Sequence, residues 1–101
     1  MHLSTGSAKA SGKVTTEGFV VFAGATVNDK SSKSLSSGMQ KLRQRIFDSG
    51  KVEDFTMKED ILFSSSSAAA DFILGYSVSG PQTWKSKDGR TLKEIETRWI
   101  N

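Results

Sequence analysis

Residues 63–75 read FSSSSAAADFILG, with four serines directly before three alanines. Such a serine run can be a flexible linker, a set of phosphate ligands, a row of nucleophiles or the start of a helix. The Ser65 hydroxyl can accept a hydrogen bond from a free backbone N–H in the first turn of a helix that begins at Ser66. Alanine has the highest helix propensity, and Gly75 is a typical helix end. The stretch therefore predicts a helix over residues 66–75, and this interpretation requires no catalysis.

A second helix is predicted over residues 35–49, where apolar residues recur at helical spacing. Ser34 is its predicted N-cap and Gly50 its predicted C-terminal end. The apolar positions that would face the core are Leu35, Met39, Leu42, Ile46 and Phe47. The remaining positions are mostly polar or basic, which indicates a solvent-exposed outer face.

The start of the chain is predicted to be a polar segment followed by a β-hairpin. Residues 1–12 are small and polar, and we expect a flexible N-terminal segment there. Val, Phe and Thr are frequent after it, and the Glu-Gly pair at 17–18 is a turn signal. We therefore predict a hairpin of residues 13–16 and 19–23, and we place the folded domain at residues 13–101.

The second half of the chain is predicted to contain short strands and a last helix. Residues 51–57 are expected to form one strand, whose buried positions would be Val52, Phe55 and Met57. The sequence KDGR at residues 87–90 predicts a tight turn between short extended stretches. Thr91 and Glu94 have the spacing of a capping box, which predicts a helix over residues 91–99.

This order of elements predicts a single α+β domain, in which a short, mostly antiparallel sheet packs with three helices at residues 35–49, 66–75 and 91–99. The chain has 101 residues, the length of one domain, and 36% of them are hydrophobic. It has no cysteine, which excludes disulfides and thiolate metal sites. Because no signal peptide or membrane-length apolar run is evident, we expect a cytoplasmic domain.

Three kinds of catalytic or phosphate site are poorly supported. The sole histidine is His2, so a serine nucleophile has no base near it in the sequence, and no motif supports a serine–lysine pair. GSAKASGK at residues 6–13 resembles a phosphate-binding loop, but five residues separate its glycines where four are needed, and Val14 replaces the magnesium-binding hydroxyl. The carboxylate pairs at 53–54 and 59–60 are adjacent residues, which point to opposite faces of a strand. We expect no catalysis, cofactor or metal.

The basic residues indicate a binding surface instead. The net charge is +3, with +5 over residues 1–52, −4 over residues 53–82 and +2 over residues 83–101. This order can fold into one basic face, or it can remain ordinary solvated surface. Basic side chains beside an aromatic ring and an open helix N-terminus suit nucleic acid. The candidate nucleic-acid contacts are Lys41, Arg43, Arg45, Ser65, Ser67, Trp84, Lys85, Lys87 and Arg90.

Each group of candidates has an expected role. The three basic residues between positions 41 and 45 would lie on the outer face of one helix. The second basic group flanks the 87–90 turn beside Trp84, which is either a stacking platform or a core residue. Backbone amides at residues 65–67 would accept a phosphate. The alternative function is a protein-interaction or structural domain, with the acidic 53–60 segment or the Trp84 turn as the contact.

Three stretches together resemble a known family: EGFVVFAG at 17–24, LRQRIFDSG at 42–50, and FSSSSAAADFILGYSVSGPQTWKSKDGRTLKEI at 63–95. Over about residues 8–96 the chain resembles the small bacterial domain of unknown function 4357 family. The resemblance implies an accessory domain that accompanies a GIY-YIG nuclease domain or occurs in restriction–modification and defence-related proteins. The chain is also similar to the RAMA type of domain, which is proposed to read modified DNA. The implied partners are DNA and a nuclease or restriction–modification protein.

The chain departs from the family pattern at three positions. The pattern Phe-x-Ser-Pro-Ser-Ala-Ala-Ala has a proline where this chain has Ser66, and proline favours the first helical position. The resemblance therefore also supports Ser65 as the N-cap. In the later pattern, Ser79 replaces an asparagine and Pro81 stands where an aromatic residue is common. If those two family residues touch a ligand, this chain binds it more weakly or binds a different one.

Overall fold

The computed structural model describes residues 1–6, 8–29 and 32–95. The strands are β1 (His2–Thr5), β2 (Ala8–Thr15), β3 (Gly18–Val21), β4 (Val52–Glu53), β5 (Thr56–Met57) and β6 (Ile61–Phe63). The helices are α1 (Ser37–Asp48), α2 (Ser66–Leu74) and the single turn α3 (Gly80–Thr83), and residues 92–95 are helical where the described chain ends. Short antiparallel strands packed with helices confirm the predicted α+β fold.

Four strands form one antiparallel sheet in the order β1-β2-β3-β6. β4 and β5 form a separate two-stranded hairpin. Thr26 links the two units, because it bridges Lys9 of β2 on one side and Thr56 of β5 on the other. Helix α2 packs across β2, β3 and β6 on one face of the sheet. On the opposite face of the sheet, the basic residues of β2, Lys9 and Lys13, are exposed.

The prediction of a flexible segment at residues 1–12 is wrong, because two paired strands occupy most of it. β1 pairs with β2 so that Leu3 lies opposite Ala10 and Thr5 opposite Ala8. Leu3, Ala8 and Ala10 are buried, while the residues between them face solvent. This is the two-residue period of a half-buried strand. The strand pattern in this part of the sequence is weak because two of the three inward residues are small alanines and none is β-branched.

The predicted β2–β3 hairpin is confirmed, and its turn lies at residues 16–17, one residue earlier than expected. β2 is longer than predicted, since it begins at Ala8. Gly12 lies at a tight point of this pair, where a Cβ atom would be 2.3 Å from the Val20 carbonyl oxygen. Only glycine fits there without moving the backbone of β3.

The predicted first helix is confirmed as α1, but its N-cap is Ser36 rather than Ser34. The Ser36 hydroxyl accepts a hydrogen bond from the Met39 N–H at 3.2 Å. Ser34 lies before the helix, where its hydroxyl contacts the Ser32 hydroxyl at 3.0 Å. The helix ends at Asp48, and Gly50 follows its last turn as predicted. Both serines fit the capping pattern, so the sequence alone could not distinguish them.

The predicted strand at residues 51–57 is a hairpin of two short strands, β4 and β5. Asp54 and Phe55 form its turn, with φ values of 51° and 58°. A two-residue hairpin turn of type I′ requires positive φ at both of its central residues. Val52 and Met57 are buried as predicted, but Phe55 is 45% exposed, so the prediction of its burial is wrong. Asp54 is tolerated at positive φ, and the Asp-Phe pair gave no recognisable turn signal.

Helix α2 confirms the interpretation of the serine run. The Ser65 hydroxyl accepts a hydrogen bond from the Ala68 N–H at 3.0 Å, and Gly75 ends the helix with φ of 81°. The side chains of Ala69, Phe72 and Ile73, on one side of α2, are fully buried. Small alanines let α2 lie close to the sheet, and this contact forms the centre of the core.

The C-terminal turn and the start of the last helix are also confirmed. The Ser86 N–H donates to the Arg90 carbonyl and closes the predicted turn. The Thr91 hydroxyl accepts a hydrogen bond from the Glu94 N–H at 3.2 Å, as expected for an N-cap. Residues 92–95 are helical, and the rest of the predicted 91–99 helix lies outside the described residues.

Candidate nucleic-acid interface

The first turn of α2 was predicted to hold a phosphate, but the structure gives most of its polar groups other partners. The Ser67 hydroxyl accepts a hydrogen bond from the Gly80 N–H at 3.0 Å. The Ser66 carbonyl accepts one from the Trp84 indole at 3.0 Å. A Cβ atom on Gly80 would be 2.2 Å from the Ser67 nitrogen, so α3 lies directly against this turn. Ser65 and Ser67 therefore have structural roles through their hydroxyl groups. These bonds do not use the backbone N–H groups of residues 65–67, so the phosphate contact of those groups stays a prediction.

Trp84 is a core residue and not a stacking platform. Its side chain is fully buried, and its ring lies 4.5 Å from the Phe19 ring, centroid to centroid. The indole N–H is satisfied by the Ser66 carbonyl. A base cannot stack on a ring that solvent does not reach, so the prediction that Trp84 contacts nucleic acid is wrong.

Arg43 is buried, so its predicted position on the outer face of α1 is wrong. Its side chain is 4% exposed. Nε donates to the Phe72 carbonyl at 3.0 Å and Nη2 to the Asn28 carbonyl at 2.6 Å. The guanidinium also lies 5.1 Å from the centroid of the Phe47 ring. Burial lowers the pKa of Arg43, and the charge of Asp29 opposes that shift. Arg43 joins α1 to α2 and is not available to a ligand.

Lys41 and Arg45 are exposed on α1, as predicted. They are one helical turn apart, so they lie on the same side of the helix. Arg45 lines a groove between α1 and β6. Neither residue forms an ion pair with another residue that the structure describes.

The second predicted group, Lys85, Lys87 and Arg90, is exposed, and Lys85 lies beside β1. The backbone of Lys85 pairs with His2 through two hydrogen bonds of 2.6 and 2.9 Å. Arg90 forms an ion pair with Asp88 at 3.1 Å. The pKa of Asp88 is lowered by hydrogen bonds from the Ser86 hydroxyl and the Arg90 N–H, and by the charge of Arg90. The Arg90 charge is therefore partly neutralised within its own turn, while the two lysines are not.

Two further lysines, missed by the sequence analysis, lie on the exposed side of β2. Lys9 and Lys13 alternate with the inward-facing residues of the strand. His2 is the cross-strand partner of both Ser11 and Lys85, and directly opposed residues share a face of the sheet. We call this surface the open face and define it by His2, Ser4, Lys9, Ser11, Lys13 and Lys85. The alternation in AKASGK could have revealed it, had residues 8–13 been recognised as a strand.

The open face also carries a shallow depression and an aromatic ring. The depression has a volume of about 350 Å³ and lies between the β1–β2 pair and the loop at residues 23–25. Phe22 follows β3, and its N–H donates to the Ser11 carbonyl at 2.9 Å. Its side chain is 37% exposed, on the side opposite the buried Val21. Phe22 is therefore better placed than Trp84 to contact a base.

A histidine–serine pair lies within the same surface. His2 Nδ1 is 3.2 Å from the Ser11 hydroxyl, and the pair is exposed. Among the residues that the structure describes, no carboxylate is hydrogen-bonded to the imidazole, and a carboxylate is the group that orients the histidine in a catalytic triad. The described residues also contain no group of three or more His, Asp or Glu side chains that could hold a metal ion.

The structure does not bring the two predicted basic groups together. Lys85 pairs with β1, the first strand of the sheet, whereas Arg45 lies beside β6, the last strand. Three inter-strand spacings of about 4.8 Å separate those strands, or roughly 14 Å. Lys85 instead belongs with the missed lysines of the open face. The described chain thus presents one basic sheet face and a separate basic position on α1.

The comparisons with known proteins place the chain in a family without fixing its activity. None of the curated proteins and none of the solved structures matches it. No helix within residues 1–6, 8–29 and 32–95 has the length and apolar character needed to cross a bilayer. The model of one family, described as a domain of unknown function (DUF4357), matches residues 1–96. This match includes β1 and β2, which the resemblance seen in the sequence covered only in part. The chain therefore belongs to the DUF4357 family.

Proposed function

We propose that this domain is a non-catalytic accessory module that binds nucleic acid, and DNA in particular, through the open face. The observation that carries the proposal is the alignment of Lys9, Lys13 and Lys85 on one exposed surface. The four strands of this sheet contain no acidic residue, so nothing within the strands neutralises the lysines. Such a surface attracts phosphates, and release of their counterions supplies the binding free energy.

The polar residues between the lysines support the same function. Ser4 and Ser11 can donate hydrogen bonds to phosphate or sugar oxygens, which position a nucleic acid without reading its sequence. Phe22 offers a ring on which a base of a single strand can stack. The depression beside Phe22 has room for a small chemical group that projects from the bound nucleic acid.

The biological setting is proposed from the family resemblance. GIY-YIG nucleases and restriction–modification proteins act on DNA, so a partner or neighbouring domain of this kind would supply the catalysis. Recognition of modified DNA, as proposed for the RAMA type of domain, would place the modified group in or near the depression. Ser79 and Pro81, which differ from the family pattern, lie at the start of α3 rather than on the open face.

The test is a comparison of two charge-matched triple variants. Lys9, Lys13 and Lys85 are changed to glutamate in one, and Lys33, Lys41 and Arg45 in the other. Fluorescence anisotropy measures binding to a plain duplex, a methylated duplex and a single strand of the same length, at two salt concentrations. We expect the open-face variant to lose at least tenfold in affinity, with a shallower salt dependence, and the control to stay within about twofold.

Two results would contradict the proposal. One is equal loss of affinity in both variants, which would indicate a non-specific effect of charge. The other is an absence of salt-dependent binding by the wild-type domain to any of the three probes. Circular dichroism of each variant separates loss of binding from loss of folding.

A protein-interaction function is the second candidate, and the groove between α1 and β6 is the observation that favours it. From the sequence, we expected such a contact at the acidic 53–60 segment or the Trp84 turn. Trp84 is buried, and the acidic segment is largely the β4–β5 hairpin. The groove is a stronger candidate than either.

A further inference from the structure

The groove between α1 and the edge of the sheet is not used by the proposed nucleic-acid function. Its volume is about 470 Å³, with α1 on one side and β6 on the other. Most of its lining surface is apolar, and the residues that matter here are Leu42, Arg45, Ile46, Ile61, Leu62 and Ala68. A groove of this composition beside a strand is a surface on which another chain can pack.

The backbone of β6 has a free edge that faces the groove. The Phe22 N–H bonds the Ser11 carbonyl, so alternate residues of β3 point their backbone groups at β2. Phe19 and Val21 therefore point theirs at β6, opposite Phe63 and Ile61. Leu62 must then direct its N–H and C=O away from the sheet. Within the described chain, no backbone group pairs with them.

The free edge of β6 favours a partner whose main chain is in an extended conformation. An unpaired N–H and C=O beside an apolar wall are best satisfied by the main chain of another strand. A helix has no free main-chain groups to offer along its length. Since β6 is the last strand of the sheet, an added strand would extend it without displacing any element.

The side chains on both sides of the edge suit such a strand. Those of Ile61 and Phe63 are buried, and that of Leu62 is 49% exposed on the other face. Side chains of an added strand would alternate in the same way. One would enter the groove against Leu42 and Ile46, and its neighbours would lie beside Leu62.

The charges at the rim indicate an acidic partner. Arg45 forms no ion pair with any residue that the structure describes, and Lys41 lies one turn before it on α1. Lys51 meets Glu59 at 3.8 Å, where both side chains are about half exposed, so that pair is weak. A carboxylate on the partner could therefore form an ion pair with Arg45.

We propose that the α1–β6 groove binds an extended peptide segment of another protein. The segment adds to β6 as a fifth strand and bonds the Leu62 N–H and C=O. It places an apolar side chain against Leu42 and Ile46 and an acidic side chain at Arg45. The proposal is independent of nucleic-acid binding, because the open-face lysines take no part in it.

The test starts from a phage library of random eight-residue peptides selected on the whole chain. Selected peptides are synthesised and their affinities measured for the wild type and three variants. Leu62→Pro removes an N–H that bonds nothing within the domain, and proline is tolerated on edge strands. Arg45→Glu reverses the rim charge. Val14→Thr is the control, because Val14 is an equally exposed apolar residue away from the groove.

We expect selection of peptides that alternate apolar residues with at least one acidic residue. Leu62→Pro should weaken them at least tenfold, Arg45→Glu several-fold, and Val14→Thr less than twofold. Hydrogen exchange of the Leu62 amide should slow when a peptide is bound. This exchange and the Arg45→Glu result keep the test decisive if Leu62→Pro fails to fold.

Three outcomes would overturn the proposal. The first is that no peptide is enriched over the background. The second is that enriched peptides bind with unchanged affinity to Arg45→Glu and leave the Leu62 amide unprotected. The third is a dimer in sedimentation that Arg45→Glu or Leu62→Pro dissociates, since a second copy of the chain would then occupy the edge.

Discussion

Arg43 and Arg45 are two positions apart on one helix, and their surroundings are opposite. Arg43 lies on the same side of α1 as the buried residues Met39 and Ile46 and is enclosed with them. Arg45 is turned about 200° from it and faces solvent. An arginine at a core spacing is therefore a candidate for a buried hydrogen-bonding role before it is a candidate for binding a ligand.

Replacement of Arg43 by methionine should destabilise the domain. The variant keeps an unbranched side chain against the Phe47 and Phe72 rings but leaves the Phe72 and Asn28 carbonyls without their donor. We expect the free energy of unfolding in urea to fall by about 2–3 kcal/mol. The matched Arg45→Met change should stay within about 0.5 kcal/mol of the wild type. Equal effects of the two substitutions would show that the carbonyl contacts of Arg43 contribute nothing.

Asp71 should make stability depend on pH in a predictable direction. Burial raises its pKa above the ordinary 3.8, although a hydrogen bond from the Val78 N–H opposes the shift. Since the folded state holds this proton more tightly, the ionised carboxylate costs stability at neutral pH, and the cost disappears as the pH falls below 3.8. Asp71→Asn should therefore be more stable than the wild type at pH 7, with the difference shrinking in acid. A difference that grows in acid would mean the shift has the opposite sign.

At the scale of elements, the first turn of α2 packs against α3, and we call this contact the joint. The joint positions the segment that follows α2. Ser65 caps α2, Ser67 accepts the Gly80 N–H, and Trp84 donates to the Ser66 carbonyl. The serine run thus begins a helix and also supplies the surface on which the next element packs. Hydroxyl side chains serve both purposes because each is short and can accept a backbone N–H.

Alanine substitutions at two glycines should distinguish a position in this joint from a position on the exposed surface of a helix. A Cβ on Gly80 would lie 2.2 Å from the Ser67 backbone nitrogen, whereas one on Gly38 in α1 has nothing within 4 Å. Gly80→Ala should lower the free energy of unfolding by about 1–3 kcal/mol, because α3 must move away. Gly38→Ala should raise it by about 0.4–1 kcal/mol, because the unfolded chain loses freedom. If thermal melts rank the two variants in the reverse order, the proposed joint is wrong.

At the scale of the whole molecule, the N-terminal strand completes both the core and the open face. The inward residues of β1 and β2 cover the core beneath them, and their outward residues form the basic surface. The Cα radius of gyration is 13.0 Å, close to the roughly 13 Å typical of a compact chain of 100 residues. β1 and β2 therefore belong to the folded body, and the match to the family model begins at residue 1.

Truncation of Leu3 should reveal this role. Leu3→Ala should lower the free energy of unfolding by about 2–4 kcal/mol, as for other buried leucines. Leu62→Ala, at an exposed position of the same sheet, should cost less than about 1 kcal/mol. Chemical denaturation of the whole chain measures both. An unchanged midpoint for Leu3→Ala would instead support the prediction that residues 1–12 are a flexible segment.

Local signals predicted most of the helices and turns of this protein. The Ser65 cap, the Thr91 cap and the Gly75 end are contacts between residues a few positions apart, so the residue types suffice to predict them. The β2–β3 hairpin was also predictable, because its strands adjoin one turn. β1 was missed because its four residues include one apolar residue, Leu3, and its partner β2 begins with alanines alternating with polar residues, which give a weak strand pattern. Phe55 was misjudged because the Asp-Phe pair is not a recognisable signal for the turn of the β4–β5 hairpin.

The sequence pattern does not show which residues share the candidate surface, because that depends on how distant segments pack. Net charge and the positions of the basic residues are properties of the sequence, and they correctly indicated a basic domain. Which of those residues share a surface was decided by the tertiary structure, since β1 pairs with a segment more than 80 residues later at Lys85 and thereby places it beside Lys9 and Lys13. Burial of Arg43 and Trp84 likewise arises from contacts with α2 that are 18 to 29 residues distant in sequence. A chain determines its local hydrogen bonds through residue type, but only packing between distant segments decides which side chains solvent, and any ligand, can reach.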